Sequence, residues 1–289
     1  MDVCLTKPVD SRELLATLHR IMAGSVLRLD ENRSTRPVLV VDDVEINRAV
    51  ATKQLSKLGP QCDTAENGDQ ALALAKHGDY AAILIDILMP AMGGMEFAQE
   101  LRRWEQSQDR RTPVIAMTGH ADPEDRNRYI AAGMDDVLGK PVSIERLSTV
   151  LGKWRALPIS TNHNPPPPPD GEEQVNVPVD LQFLSEIIGD TDETVLFALL
   201  DLFTSEFPGL LEKLDGAIAA NDAQTVHDCA HAAKSAAMNA AAKSLVVILE
   251  NLESGARSED WTGFAQQSER LKLEYARVHD FCLSRRPRN

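Results

Sequence analysis

The sequence predicts two folded units of different class: a doubly wound, five-stranded parallel sheet of the α/β type, followed by an all-α, antiparallel helical bundle. Three observations predict this. Residues 37–156 alternate short apolar runs with helical periodicity, residues 179–284 show helical periodicity alone, and residues 157–178, with five consecutive prolines, show neither. At 289 residues the chain is long enough for two cores. The Pro-rich segment is therefore predicted to be a linker, and residues 285–289 a basic tail.

In the first unit, each predicted strand is followed by a predicted helix. The strands are predicted in PVLVVDD, QCDTAE, YAAILID, TPVIAMT and DDVLGK. The helices are predicted in NRAVATKQLSKLG, NGDQALALAKHG, GGMEFAQELRRWEQ, PEDRNRYIAAG and SIERLSTVLGKW. Apolar runs that alternate with helices are typical of parallel strands covered on both faces. Ligand chemistry in such sheets lies at the carboxyl ends of the strands.

Those strand ends carry the polar residues of interest. Asp42 and Asp43 follow the first strand, Asp86 the third, Thr118 the fourth and Lys140 the fifth. Three crowded carboxylates repel one another by roughly 4 kcal/mol per close pair at an effective dielectric near 20. A hard divalent cation with oxygen ligands relieves that repulsion. The alternative for the first two acids is a helix-capping role.

This set, together with IDILMPAMGG, AMTGH and GKP, resembles the response-regulator receiver domain over about 120 residues. The resemblance implies an Mg²⁺ (or Mn²⁺) site and an aspartyl phosphate on Asp86. The implied metal ligands are Asp43, Asp86, the Leu88 backbone carbonyl and, largely through water, Asp42. Thr118 and Lys140 would neutralise charge on the phosphoryl oxygens. One departure is Val137, where receivers usually have Tyr or Phe, and another is the apolar Leu88 side chain.

The N-terminal stretch CLTKPVDSRELLATLHRIM resembles the last strand and helix of another receiver, with Lys7 matching Lys140. We therefore expect residues 1–36 to be the remnant of a preceding receiver and a connecting segment. A helix is predicted near residues 10–23. We expect Lys7 to have no acidic site of its own to serve.

The second unit is predicted to have helices near 180–188, 192–220, 222–239, 241–255 and 260–284, a bundle pattern. In DAQTVHDCAHAAKSAAMNA, the residues Val226, Ala230, Ala233, Ala237 and Ala240 form a core stripe. A neighbouring stripe is predicted to be more exposed; its members are His227, His231, Lys234, Ser235 and Met238.

The two histidines of this second stripe, His227 and His231, have three competing interpretations. They are surface residues, or His227 and His231 are metal ligands at i and i+4, or the segment belongs to a histidine phosphotransfer (HPt) domain. The pattern His-x-x-Lys-small around His231 resembles the HPt family, which implies that His231 carries a phosphoryl group and Lys234 contacts it. Ser235 would let a receiver approach closely, although it and Ala241 stand where that family usually has Gly. Residues 177–284 hold 18 acids against 7 Lys or Arg, yet 229–249 holds no acid. An acidic receiver site is expected to dock in that window.

Composition excludes several classes. A formal charge of −14 argues against sequence-independent binding to nucleic acid or anionic lipid. No apolar run reaches the ~18 residues of a membrane span, and nothing resembles a signal peptide. The four cysteines form no C-x-x-C pair, which favours free thiols in a reducing compartment. We expect a cytoplasmic location, either free or as the cytoplasmic part of a membrane-anchored sensor kinase.

The sequence thus predicts a phosphorelay intermediate between an upstream sensor histidine kinase and a downstream response-regulator receiver, without an ATP-binding motif of its own. Whether the chain is itself an enzyme stays open at this point. The alternative is a phosphorylation-independent interaction module that acts by docking. Because the linker is expected to be extensible, the sequence does not require the Asp86 and His231 sites to face each other at rest.

Overall fold

The computed structural model describes residues 36–108, 110–119, 123–154, 156–157, 177–258 and 261–286. The predicted receiver remnant, with Lys7 and its helix, and most of the predicted linker lie outside the described residues. Within them, the predicted fold class is confirmed: a five-stranded parallel sheet precedes a helical region.

The sheet unit contains five strands and five helices in strict alternation. Its elements are β1 Val38–Val41, α1 Glu45–Leu58, β2 Cys62–Ala65, α2 Gly68–His77, β3 Ala82–Asp86, α3 Gly94–Glu105, β4 Val114–Thr118, α4 Pro123–Ala131, β5 Asp136–Gly139 and α5 Ile144–Lys153. The strands are all parallel, in the order β2-β1-β3-β4-β5. β1 therefore lies between β2 and β3, and the crevice at their carboxyl ends is where this topology places a ligand site.

Burial on both faces explains why the strands read as continuous apolar runs. Leu39 and Val41 belong to one hydrophobic core, whereas Val38 and Val40 belong to the core on the opposite face of the sheet. Phe97 packs in the first core and Leu55 in the second, so helices cover both faces.

The C-terminal unit contains five helices: α6 Leu181–Ile188, α7 Glu193–Ala220, α8 Ala223–Asn239, α9 Lys243–Arg257 and α10 Phe264–Arg285. Their short connections make successive helices antiparallel. Asp180, Asp192 and Asp222 cap the first three of them by accepting backbone N–H bonds. The turn between α8 and α9 places Ala241 in the left-handed region with φ 53°, where glycine is favoured. The glycine that the resemblance to the HPt family leads us to expect at position 241 would adopt this left-handed conformation without strain.

Helix α7 is long and apolar enough to fit a membrane by length and composition. These properties are shared by core helices, and α7 buries Leu200, Phe203 and Phe207 in the bundle. Phe207 also stacks on Tyr275 of α10, with ring centroids 5.1 Å apart. The apolar character of α7 is therefore explained by packing.

The sheet unit is docked on the bundle through α1. Val44, Ile46 and Val50 join the hydrophobic core of the bundle. The Gln54 amide donates both to the Val142 carbonyl at 2.6 Å and, across the contact, to the Ile187 carbonyl at 2.7 Å. At the other end of the contact, Lys57 pairs with Asp190 at 2.7 Å. This contact brings the carboxyl edge of the sheet onto α8.

Candidate functional site

Three acids converge at the carboxyl edge of the sheet. Asp42 and Asp43 follow β1 and Asp86 ends β3, and one carboxylate oxygen of each lies within 4.8 Å of the others. Asp42 and Asp86 are buried, and Asp43 is half-buried. Neighbouring parallel strands end at the same edge, so residues distant in sequence meet here.

The acids are incompletely neutralised by the described residues. Burial, with the charges of Asp42 and Asp86, raises the pKa of Asp43 to about 7, and among the described residues its buried Oδ1 has no hydrogen-bond partner. Burial also raises the pKa of Asp86, although Lys140 opposes that shift. An unpartnered carboxylate oxygen within a triad of acids is a donor set that suits a hard divalent cation.

Lys140 lies inside this cluster. Its Nζ donates to Asp42 Oδ2 and to Asp86 Oδ2, both at 2.9 Å, and its side chain is buried. Burial works against its charge, but the two carboxylates outweigh burial and raise the pKa of Lys140. The lysine is therefore a fixed cation beside the Asp86 carboxylate.

Thr118 ends β4 at the same edge and is buried, with its Oγ1 3.3 Å from the Tyr129 hydroxyl of α4. Sequence reasoning did not single out Tyr129, which places an aromatic hydroxyl beside Thr118 even though position 137 is Val. Leu88 is half-buried and packs on the core of the sheet. Its proposed role through the backbone carbonyl stays a prediction.

His231 lies on α8 against this edge and is 3% exposed. Its Nδ1 is 2.8 Å from Glu253 Oε1, and its Nε2 is buried without a hydrogen-bond partner among the described residues. A Cβ built on Gly119, next to Thr118, would lie 3.7 Å from His231 Cε1. The predicted exposure of this stripe is wrong for His231, Lys234 and Ser235, because the sheet unit and Glu253 cover them.

Glu253 of α9 is the residue that sequence reasoning missed. It forms an ion pair with Lys234 as well as its contact with His231. Burial opposes its charge, but hydrogen bonds from His231 and Lys234 outweigh burial and lower the pKa of Glu253 to about 2. One signal was present: Glu253 follows Leu249 by four residues, so an acid occupies the apolar stripe of its helix.

His227 does not share this environment. Its ring is 6.5 Å from that of His231, and its Nε2 is 3.9 Å from Glu253 Oε1 and 3.4 Å from Arg257 Nε. Among the described residues, the group of metal-binding side chains that lie close enough together is Asp42, Asp43 and Asp86, without either histidine. The structure gives no support to a metal site on α8.

A buried polar cluster joins the two units beside the acids. The Ser235 hydroxyl accepts from Asn47 Nδ2 and from Lys140 Nζ, both at 2.9 Å. Asn47 also donates to Asp42 Oδ1 at 2.8 Å and accepts from Asn239 Nδ2 at 2.7 Å. Asn47 and Asn239 were not predicted site residues, and the pairing across 188 residues leaves no periodic signal in the sequence.

Family models and known proteins agree with this architecture. The model of the response regulator receiver domain matches residues 38–152, and the model of the Hpt domain matches residues 198–281. The aerobic respiration control sensor protein ArcB of Escherichia coli (strain K12) is 30% identical over 223 residues, covering 75% of this chain and 27% of ArcB. The sensor histidine kinase GacS of Pseudomonas protegens is 28% identical over 277 residues, covering 91% of this chain and 29% of GacS. The chain thus spans less than a third of these relatives.

Solved structures also match the sheet unit. The receiver domain of sensor histidine kinase PA1611 from Pseudomonas aeruginosa PAO1, described with a magnesium ion in its active site cleft, is 34% identical with a TM-score of 0.39. The match covers 42% of this chain and 98% of that one. The receiver domain of Francisella response regulator 1452 is 30% identical with a TM-score of 0.38. This match covers 42% of the present chain and 97% of the Francisella chain. From the family matches, this chain contains a response regulator receiver domain, residues 38–152, followed by an Hpt domain, residues 198–281, and the relatives that it resembles are sensor histidine kinases.

Proposed function

We propose that the chain is an intermediate of a phosphorelay, in which Asp86 accepts a phosphoryl group from a kinase histidine and passes it to His231. A role in two-component phosphorelay signalling follows from the two domains and their relatives. The observation that carries the finer assignment concerns His231 Nε2, which is buried at the acidic edge of the receiver and has no hydrogen-bond partner among the described residues. Buried polar atoms normally have partners, so this nitrogen has a task other than holding the fold.

Acceptance by Asp86 is supported by the residues around it. Asp42, Asp43, Asp86 and the Leu88 carbonyl would hold Mg²⁺ or Mn²⁺, which supplies charge neutralisation for phosphoryl oxygens when bound. Lys140, at 2.9 Å from the Asp86 carboxylate, adds a fixed positive charge on the same side. The Thr118 hydroxyl is assigned to a phosphoryl oxygen as well.

In the second step, the lone pair of His231 Nε2 attacks phosphorus. The new bond is P–N, the bond that breaks joins phosphorus to the Asp86 carboxylate oxygen, and Asp86 regains its negative charge. No proton leaves Nε2, because Glu253 accepts from Nδ1–H and so favours the tautomer whose Nε2 is unprotonated. We assign Lys234 to a phosphoryl oxygen, and Ser235 to the contact with the receiver.

The proposed partners are an upstream sensor histidine kinase and a downstream response-regulator receiver. Asp86 is 2% exposed and His231 3% exposed, so neither partner reaches its target while the receiver is docked. The docked arrangement therefore suits transfer within the chain, and the contact opens for exchange with partners. We place the chain in the cytoplasm, where kinases obtain phosphoryl groups from ATP.

The alternative, a docking module that works without phosphorylation, explains the contact but not its chemistry. Docking does not need a buried Asp43 oxygen and a buried His231 nitrogen that lack hydrogen-bond partners within the described part of the chain. Radiolabelled acetyl phosphate with Mg²⁺ separates the two functions. The relay predicts label on Asp86 that then appears as alkali-stable label on His231. A chain that takes up no label under these conditions contradicts the relay.

A further inference from the structure

In the polar cluster between the two domains, the receiver side chains Asn47 and Lys140 use all of their donor hydrogens. Asn47 uses both amide hydrogens, one on Asp42 and one on Ser235, and its oxygen accepts from Asn239. Lys140 uses its three donors on Asp42, Asp86 and Ser235. Every one of these side chains is buried. The cluster closes only when both domains supply their parts.

The contact therefore discriminates between receivers. A buried donor that loses its acceptor costs more free energy than the hydrogen bond itself contributed to stability. Removing the Ser235 hydroxyl leaves one Asn47 hydrogen and one Lys140 hydrogen without their acceptor. A receiver with an apolar side chain in place of Asn47 would leave the Asn239 amide unpartnered. Sites that match buried hydrogen bonds discriminate more strongly than apolar contacts do.

We propose that Asn47, Ser235 and Asn239 form a clasp that selects this receiver for this Hpt domain and shields both phosphoacceptors from other proteins. A competing receiver fits the same face only if it presents an amide opposite Asn239 and a lysine opposite Ser235. The part of the proposal that concerns phosphoryl traffic rests on the proposed function; the shielding of His231 does not.

Carbethoxylation of the full chain by diethyl pyrocarbonate measures the shielding. His231 is modified only when the domains part, and His227 serves as a reference within the same chain. Asn239→Ala is expected to raise the modification rate of His231 about tenfold, which corresponds to about 1.4 kcal/mol lost from the closed state. Ser235→Ala leaves two buried donors without an acceptor, so it is expected to raise the modification rate of His231 further.

The matched control is Ser244→Ala on α9, where the hydroxyl has no hydrogen-bond partner among the described residues. This control should leave the rate at His231 unchanged. Asn47→Ala, made in the other domain, should act on His231 as Asn239→Ala does, and the double variant should add little to either. If all clasp variants react at the rate of the unaltered chain while their circular dichroism is native, the clasp is refuted.

Selection is tested by mixing two full chains: a His231→Gln chain labelled on Asp86 as donor, and an Asp86→Asn chain as acceptor. Asn47→Ala in the acceptor frees its own Hpt domain, so transfer between chains should rise several-fold. The same substitution in the donor also exposes Asp86 but removes the amide that Asn239 of the acceptor would meet, so transfer should rise less than with the acceptor variant. If Asn47→Ala changes the transfer rate equally in the donor chain and in the acceptor chain, selection by the clasp is refuted. Absence of any transfer would contradict the proposed function instead, while the carbethoxylation result would still decide the shielding.

Discussion

Replacing Glu253 by Gln isolates the role of its charge, because the two side chains have nearly the same shape. In the unaltered chain, one carboxylate serves both His231 Nδ1, at 2.8 Å, and the Lys234 ammonium. The amide oxygen of Gln can accept from only one side, and its NH₂ group would meet the other donor. Either Lys234 loses its buried counterion or the imidazole loses its acceptor.

The lowered pKa of Glu253 determines how much its ionisation contributes to the free energy of unfolding. Its value falls from 4.5 to about 2 in the folded chain, so ionisation stabilises the fold by about 3 kcal/mol at pH 7. For an acid with a lowered pKa, this contribution is present above the unfolded value and is lost as pH falls through the folded value. It should shrink to about 2 kcal/mol at pH 3.5 and continue falling toward pH 2.

Urea unfolding at several pH values measures this contribution as the difference between the unaltered and Glu253→Gln chains. Glu250→Gln is the matched control, since Glu250 is exposed on the same helix. Transfer from Asp86 to His231 should also slow roughly 10- to 100-fold, the value of a charge-assisted hydrogen bond. Nitrogen NMR of His231 should show loss of the single Nδ1–H tautomer. A stability difference that is equal at pH 7 and pH 3.5, with an unchanged tautomer, would refute the reasoning.

Four further outcomes are expected. Asp86→Asn should abolish phosphoryl acceptance with the fold intact, and stoichiometric uptake of acid-labile phosphate by that variant would exclude Asp86 as the acceptor. Chelation of divalent metal with EDTA should stop loading from acetyl phosphate, with Mg²⁺ restoring it; loading that persists would contradict a metal role for the acids. His231→Gln should block passage through the Hpt domain, whereas His227→Gln should mostly preserve it, and equal loss in both with tightly bound zinc would favour the metal interpretation. A micromolar mixture of Asp86→Asn and His231→Gln chains should transfer label more slowly than the intact chain, and an equal rate would show that the linker confers no advantage.

The sheet and the acidic site could be predicted because both follow from local patterns. Strands buried on both faces leave apolar runs, and parallel strands gather their carboxyl ends, so Asp42 and Asp86 were expected to meet. Helical periodicity likewise placed His231 and Lys234 on one stripe. The structure supports these placements, whereas the chemical roles stay proposals.

The rest could not be predicted, because periodicity places a residue on a face without saying what lies across from it. The stripe around His231 was expected to face solvent, yet Glu253 and the receiver cover it. The Asn47 bond to Ser235 joins residues 188 positions apart, and it depends on a contact between domains that neither domain pattern encodes. The absence of acids in 229–249 indicated a docking surface but not its partner side chains.

The docked structure and the proposed relay impose opposite demands on the same contact. Transfer from Asp86 to His231 requires closure, while each partner requires opening, since the two sites are 2% and 3% exposed. The predicted linker of 22 residues gives a root-mean-square span of about 26 Å and an effective concentration of order millimolar. At ~1 mM, a contact with a dissociation constant of roughly 10 µM is open about 1% of the time, and one tenfold weaker about 10%. A contact of that strength keeps transfer within the chain fast and still opens often enough to admit partners. The clasp sets how tightly the contact closes, because its few hydrogen bonds add to the apolar packing of Val44, Ile46 and Val50 on the bundle.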